Sequence, residues 1–199
     1  MSQVRLRDYD NSWYHPGRSR LWQIAWFIVG SPMVRCSLLP SSSLRVALLR
    51  AFGAQLGLRV VIKPGARIKY PWHLTVGNDV WLGESCWIDN LTTVRIGNDV
   101  CISQGAYLCT GNHNWSDPTF RLQTEPIELG DGAWVGAKAF LSPGVVVAEG
   151  GVAAAGSVVS RNIGAYEIHA GNPATFVRRR RFVSSGQSEL ASLEKHATA

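Results

Sequence analysis

Leu74-Thr-Val-Gly-Asn-Asp-Val-Trp-Leu-Gly83 returns as Val94-Arg-Ile-Gly-Asn-Asp-Val-Cys-Ile-Ser103, and again as Ile127-Glu-Leu-Gly-Asp-Gly-Ala-Trp-Val-Gly136. The first two copies lie 20 residues apart and the second and third 33 apart. Around them apolar residues recur at every sixth position. The series are Ile62, Ile68, Leu74; Val76, Leu82, Ile88, Val94; Ile96, Ile102, Leu108; and, after a gap, Leu129, Val135, Leu141, Val147, Ala153, Val159. Four residues after most of these comes a small or modest side chain, such as Ala66, Cys86, Ala106, Ala139 or Ser157. A period of six fits neither the 3.6-residue helix nor the two-residue strand alternation. It predicts a triangular solenoid in which each hexad supplies one short strand and one corner, three hexads to a coil. Glycines 83, 97, 105, 130, 136 and 144 stand where the corners need unusual backbone angles. The 20-residue interval is three hexads plus a two-residue bulge. The longer interval carries thirteen more residues, which must leave the solenoid as a loop around HNWSDPTFRLQTE, His113 to Glu125.

The stretches on either side of the repeat read differently, and they divide the chain into residues 1–57, 58–183 (with the loop at about 113–126) and 184–199. In the first part, Leu21 to Val29 is apolar nearly all round and Gly30-Ser31-Pro32 is expected to stop it. It is far shorter than the roughly 20 residues a membrane span requires. It reads either as a helix packed on the protein's own body or as an interfacial helix with Arg18, Arg20 and Arg35 at its rim. A second helix is expected from Ser43 as cap, through Leu44, Leu48, Ala51 and Phe52, to Gly53, lying as a lid over the solenoid's end. The last part, SSGQSELASLEKHATA, has no apolar stripe and is expected to be a flexible tail.

Composition narrows the classes further. The 199 residues suffice for one domain with modest appendages, and no secretory signal is evident. Cys36, Cys86, Cys101 and Cys109 follow no CxxC spacing and are read as reduced, three of them packing inside the repeat. The net charge of +6 suits an anionic partner. The run Arg178 to Arg181 is too short, and too poor in interleaved aromatics, for nucleic acid. It covers the solenoid's end or touches anionic lipid.

The hexads, the excursion opening at Thr110-Gly111-Asn112-His113, and Gly171-Asn172-Pro173-Ala174 together resemble the hexapeptide-repeat acyltransferases. Tyr9-Asp-Asn-Ser-Trp-Tyr14 and Val61-Ile-Lys-Pro64 are similar to the colanic-acid-type exopolysaccharide O-acetyltransferases within that family. The resemblance implies an all-β solenoid, a left-handed parallel β-helix with a short helical N-terminal segment. It also implies a homotrimer with active sites between subunits, acetyl-CoA as acyl donor and no metal. The handedness comes from the resemblance alone, because parallel crossovers are otherwise right-handed.

His113 is the candidate general base. Attack of an alcohol on a thioester needs a group to take the alcohol's proton, and an imidazole titrating near neutrality suits that task. The resemblance places the oxyanion and acetyl site near Trp134 and Ala137. Candidates for binding the sugar are Ser85, Asp89 and Asn90 on the coil below, and Trp115, Asp117 and Glu125 in the loop. Corner chemistry explains Asp89 and Asn90 nearly as well. For acetyl-CoA the resemblance points to Gly136, Ser142, Ala154, Gly156, Ser157, Asn172 and Pro173, with Lys138, Arg161 and Arg178 for the phosphates. The acceptor stays open: the apolar N-terminal segment and its basic rim suit a nucleotide- or lipid-linked sugar, handled in the cytoplasm with peripheral contact to the inner membrane face as one reading, and a free small sugar or an antibiotic is the alternative. Two other classes stay open: a non-catalytic β-helix scaffold, and a metal-dependent hydratase like the γ-type carbonic anhydrases. The hydratase would need three histidines from His73, His113 and His169.

Overall fold

The structure is a computed structural model and describes residues 3–39 and 41–182. The tail expected at 184–199 lies outside the described residues. The hexads build a prism with three walls of parallel strands, wound as a left-handed β-helix. The first wall holds Gln55–Leu56, Leu74–Val76, Val94–Ile96, Ile127–Leu129 and Val146–Val147. The second holds Val61–Ile62, Trp81–Leu82, Cys101–Ile102, Trp134–Val135, Val152–Ala153 and Glu167–Gly171. The third holds Arg67–Ile68, Trp87–Asp89, Tyr107–Cys109, Phe140–Leu141 and Val158–Val159. The sixth-position residues point inward: Leu82, Ile88, Ile102, Leu108, Val135 and Leu141 are all fully buried. Each such aliphatic side chain contributes about 1.5–3 kcal/mol on leaving water. The small residues Ala66, Cys86, Ala106, Ala139 and Ser157 stack above one another inside one corner, each at most 1% exposed. Of the repeat's three cysteines only Cys86 is truly inside, and burial pushes its thiol up to about 12.

Coil pairing shows where the repeat's length varies. Leu74 pairs with Val94, Val94 with Ile127, and Glu128 with Val146, so successive offsets are 20, 33 and 18 residues. The corners after the first and second walls keep to the hexad throughout. Every change of length occurs at the third corner, between the third wall and the first.

The corners themselves correct one expectation. Of the six glycines assigned to turn angles, only Gly105 and Gly144 have positive φ. The other left-handed positions are shared between Arg59, Asp79, Asp99, Gly132 and Gly150 at the first corner and Gly65, Ser85, Lys138 and Gly156 at the second. Gly83 and Gly136 are needed for a different reason. A β-carbon there would lie 2.6 Å from Gln104 N and 2.5 Å from Ala155 N, inside the backbone of the next coil. The repeated Asn/Asp forms a ladder at the first corner: Asn78 Oδ1 accepts Leu58 N–H at 2.8 Å, Asn98 accepts Asn78 N–H at 2.9 Å and Asp131 accepts Asn98 N–H at 2.7 Å.

The N-terminal part departs from expectation in two places. The first helix does not stop at Gly30: Arg20–Ala25 runs through a π turn, Trp26–Gly30, into Ser31–Arg35. The wide turn lets Ser31 N–H bond Trp26 O, and Pro32, which has no N–H to place, follows without losing a bond. Ser19 caps its start. The second helix is Ser42–Ala51, capped by Ser41 rather than Ser43, and its buried face is Arg45, Val46 and Leu49 rather than the Leu44 stripe. Buried Arg45 is spent on the carbonyls of Val34, Cys36 and Leu39. This helix lies on the first coil, Ser42 Oγ accepting Ile62 N–H at 2.8 Å. At the other end Ala174–Arg179 folds back antiparallel on Glu167–Gly171, so the second wall ends in a reversed strand.

Candidate active site

The thirteen extra residues form an antiparallel hairpin at the third corner, Gly111–His113 pairing with Leu122–Thr124. Buried Thr110 anchors its root: its hydroxyl donates to Asp89 O at 3.0 Å and accepts Thr92 N–H at 3.2 Å. His113 therefore sits on a stem fixed to the solenoid and not on a free loop.

Its imidazole is held on three sides. Nδ1 lies 2.9 Å from Phe120 O. The Phe120 ring stacks on it at 4.4 Å and 6°, and Tyr9 approaches its other side at 5.6 Å. A carbonyl only accepts, so Nδ1 carries the proton of the neutral ring and Nε2 presents a lone pair. Phe120 itself sits at φ +52°, a backbone conformation that aromatic residues rarely take.

His113 lines a cavity of about 950 Å³ whose other wall is the N-terminal arm. The arm crosses the hairpin, Arg5 N–H bonding Pro118 O at 2.8 Å, and then the coil below, Tyr14 Oη donating to Leu91 O at 2.6 Å. Burial pushes the Tyr14 phenol well above its ordinary range. Tyr9, Asn11, His15, Arg20 and Gln23 face the same space, together with Lys69. These residues escaped the sequence reading of the acceptor site. The signal was the Tyr9 to Tyr14 motif, which marked the resemblance without showing that the arm folds back over the loop.

The candidates for sugar binding separate. Asp89 is mostly buried, 3.0 Å from Lys69 Nζ and receiving Tyr107 Oη at 3.1 Å, so it anchors Lys69 at the cavity edge. Burial and this carboxylate raise the Tyr107 phenol far above its ordinary range. Asn90 is fully buried and has both amide ends committed to Tyr70, accepting its N–H at 3.0 Å and donating to its carbonyl at 2.7 Å. It has no polar group left for a sugar, so the corner explanation holds and the binding assignment is withdrawn. Ser85 is exposed at the second corner, away from the His113 cavity in one protomer. Asp117 spends its carboxylate on Thr119 N–H and Oγ1, both at 2.8 Å, shaping the hairpin tip. Trp115 is 79% exposed at that tip. Glu125 closes the hairpin by backbone and lines a separate recess with Asp8, Asp10 and Trp13.

The cofactor candidates fall into three groups. Gly136, Ala137, Lys138, Ala154 and Gly156 line the second corner, where the Ala137 N–H has no hydrogen-bond partner among the described residues. The same holds for its counterparts Glu84, Gln104 and Ala155. Trp134, its Nε1 donating to Ser103 Oγ at 2.9 Å, shares a groove with Val152, Ile168 and Arg178 to Arg181. Asn172 and Pro173 form the turn of the neighbouring terminal hairpin. Ser142 and Arg161 stand instead at the third corner, on the His113 side. Ser157 is a correction: at 1% exposure, with its backbone bonded to Ala154 and Phe140, it belongs to the interior stack and offers no cofactor contact. Arg180, from the arginine run, donates to Gly132 O and Gly150 O and so ties the segment after the terminal hairpin to the first corner. Among the described residues no three His, Cys, Asp or Glu side chains converge as metal ligands. His169 pairs instead with Glu167 at 3.0 Å.

No protein-family model matches the chain. Over 136 residues, 68% of its length, it is 40% identical to the putative colanic acid biosynthesis acetyltransferase WcaF of Escherichia coli K12, covering 75% of that protein. It is 26% identical over 137 residues to the galactoside O-acetyltransferase of the same organism, covering 67% of this chain and 68% of that one. Among solved structures, the hexapeptide-repeat acetyltransferase VCA0836 of Vibrio cholerae superposes with a TM-score of 0.75 at 20% identity, over 83% of this chain and 96% of that one. A galactoside acetyltransferase in complex with coenzyme A superposes with a TM-score of 0.72 at 21% identity, over 81% and 82%. These two share the fold. With the hexads, the hairpin and the 40% relative, they establish that the chain belongs to the hexapeptide-repeat, left-handed β-helix acetyltransferases.

Proposed function

We propose that the protein transfers the acetyl group of acetyl-CoA to a sugar hydroxyl, with His113 as general base, in the building of an exopolysaccharide. The observation that carries this reading is the contact of His113 Nδ1 with Phe120 O in a residue that lines the cavity, which makes Nε2 the basic nitrogen of the neutral ring. The hydroxyl oxygen attacks the thioester carbon as Nε2 takes its proton, the C–S bond breaks, and the imidazolium returns the proton to the departing thiolate. The developing oxyanion needs a preorganised donor, and the free Ala137 N–H supplies one. Trp134 walls the pantetheine arm, while Lys138 and Arg178 hold the phosphates.

Ala137 and His113 belong to opposite edges of the third wall, so one protomer does not bring them together. They meet when the second corner of one subunit faces the hairpin of its neighbour, as in a homotrimer with shared sites. The acceptor lies under the N-terminal arm, against Tyr9, Asn11 and Lys69. The setting is cytoplasmic, at the inner membrane face, on a nucleotide- or lipid-linked sugar.

The test pairs acetyl-CoA calorimetry with turnover on sugar acceptors. Wild type binds acetyl-CoA, and a Lys138→Ala/Arg178→Ala variant binds more weakly. His113→Ala keeps acetyl-CoA binding and oligomeric mass while losing transfer. Near-normal turnover by His113→Ala would sink the base assignment.

A further inference from the structure

From Asn11 to Asn78 the chain carries nine lysines and arginines and not one aspartate or glutamate. The rest of the chain holds 11 basic and 14 acidic residues, so the positive charge is segregated to one region. Of the nine, Arg45 is buried on carbonyls, Arg50 bonds Leu56 O and Gly57 O, Arg59 pairs with Asp79, and Lys69 pairs with Asp89. Arg18, Arg20, Arg35, Lys63 and Arg67 have no carboxylate within ion-pair distance among the described residues.

The helix at residues 20–35 belongs to the same region. Its buried stripe is Trp26, Gly30 and Val34, four residues apart each time, and that stripe already holds it to the solenoid. The opposite stripe is also apolar. Leu21, Ile24 and Ile28, at i, i+3 and i+7, are 80%, 52% and 70% exposed, and Phe27, Val29 and Met33 flank them in the open. Amphipathic helices bury one apolar stripe and wet the other face; this one leaves its second stripe uncovered. Cations stand at both of its ends, Arg18 before it, Arg20 at its first position and Arg35 at its close. Arg35 and Arg67 share a recess of about 280 Å³ beneath Phe27.

We infer that this helix is a docking element that lies in the surface of an anionic bilayer, its Leu21/Ile24/Ile28 stripe in the acyl boundary and Arg20, Arg35 and Arg67 on lipid phosphates. An uncovered apolar stripe and a rim of arginines that no carboxylate among the described residues neutralises are the features that such a surface selects. A second copy of the same face is the poorer occupant, because it would set the two arginine rims against each other. Arg20 and Gln23 also line the His113 cavity. Docking therefore brings that cavity to headgroup level, and, resting on the acetyl-transfer reading, the acceptor becomes a sugar carried on a lipid phosphate.

The experiment is flotation of the full chain with phosphatidylcholine vesicles, with and without phosphatidylglycerol, at low and high salt. Wild type floats with the anionic vesicles only, and salt releases it. Leu21→Gln/Ile24→Gln/Ile28→Gln lowers vesicle binding about a hundredfold. Arg35→Ala lowers it about fivefold. Both variants keep acetyl-CoA binding and turnover of a water-soluble sugar. Failure of wild type to float, or flotation unchanged in the triple variant, overturns the inference. So does a triple variant that falls apart into smaller oligomers, because the stripe is then a subunit contact. Flotation needs neither acetyl-CoA nor acceptor, so its failure leaves the acetyl-transfer reading standing, and a failed transfer assay leaves the docking result standing.

Discussion

The first and third corners of the prism obey different rules. At the first corner every coil turns within one hexad, through a left-handed residue, and from Leu58 to Asp131 each corner N–H donates to a side-chain oxygen of the following coil. At the third corner the spacing is eight residues, then eight again, then twenty-one, then six, and the longest of these carries His113. The difference is one of hydrogen-bond accounting. Where a corner's N–H groups and carbonyls are committed to the coils on either side, an extra residue leaves buried polar groups unmatched. At the third corner an insertion pairs with itself, as Gly111–His113 does with Leu122–Thr124, and disturbs neither wall. Regularity belongs to the ladder, and the proposed base to the corner the ladder leaves free.

The largest expected effect separates these two corners by activity. His113→Ala should reduce acetyl transfer about a thousandfold while leaving the urea midpoint where it was. Gly136→Val should do the reverse of this, because its side chain enters the backbone of the following coil. A loss of about 3 kcal/mol in urea unfolding is expected, and a midpoint matching wild type would show that the coils are loosely stacked. Asn98→Ala, in the first-corner ladder, should cost about 1 kcal/mol by the same measurement. Trp115→Ala, at the tip of the third-corner hairpin, should leave stability unchanged and alter only the KM for the acceptor. If the two variants are equally destabilised, the contrast between the corners fails.

The smallest effect concerns pH. His73 sits at the third corner of the first coil, half-buried, its Nδ1 without a hydrogen-bond partner among the described residues, and burial holds its pKa below the ordinary value. The unfolded chain then binds this proton more readily than the folded one. Stability should be full above the ordinary histidine pKa of about 6.5 and decline as pH falls from about 7 toward 5. His73→Gln should flatten that decline, read as the urea midpoint against pH.

The fold was legible because one period ran through sixteen apolar positions, Ile62 to Val159, and no local preference competes with so long a register. Turn glycines were located but misread: Gly83 and Gly136 answer to the neighbouring coil, which is a contact and has no trace in spacing. The Ser42–Ala51 helix was found with the wrong face, because Leu44 and Leu48 repeat at helical spacing while Arg45 is the residue drawn inside by carbonyls of the segment just before the helix. His113 stood out at the mouth of the excursion. Tyr9, Asn11 and Lys69 did not, because nothing in their own neighbourhoods shows that the N-terminal arm returns over a hairpin a hundred residues later. Asn90 and Ser157 looked available because polar residues at corners usually are, and burial showed otherwise.

A stack of parallel coils has a growth problem, since its last strand is a template for another chain. Here the second wall closes with Ala174–Arg179, laid in the opposite direction and bearing Arg178 and Arg179. A further coil running with the wall would have to pair antiparallel with it, which breaks the parallel stacking, and charge repels a like end. The terminal hairpin thus acts as a stopper against polymerisation. Without it, the regularity that makes the prism stable would let one molecule seed a fibre of many.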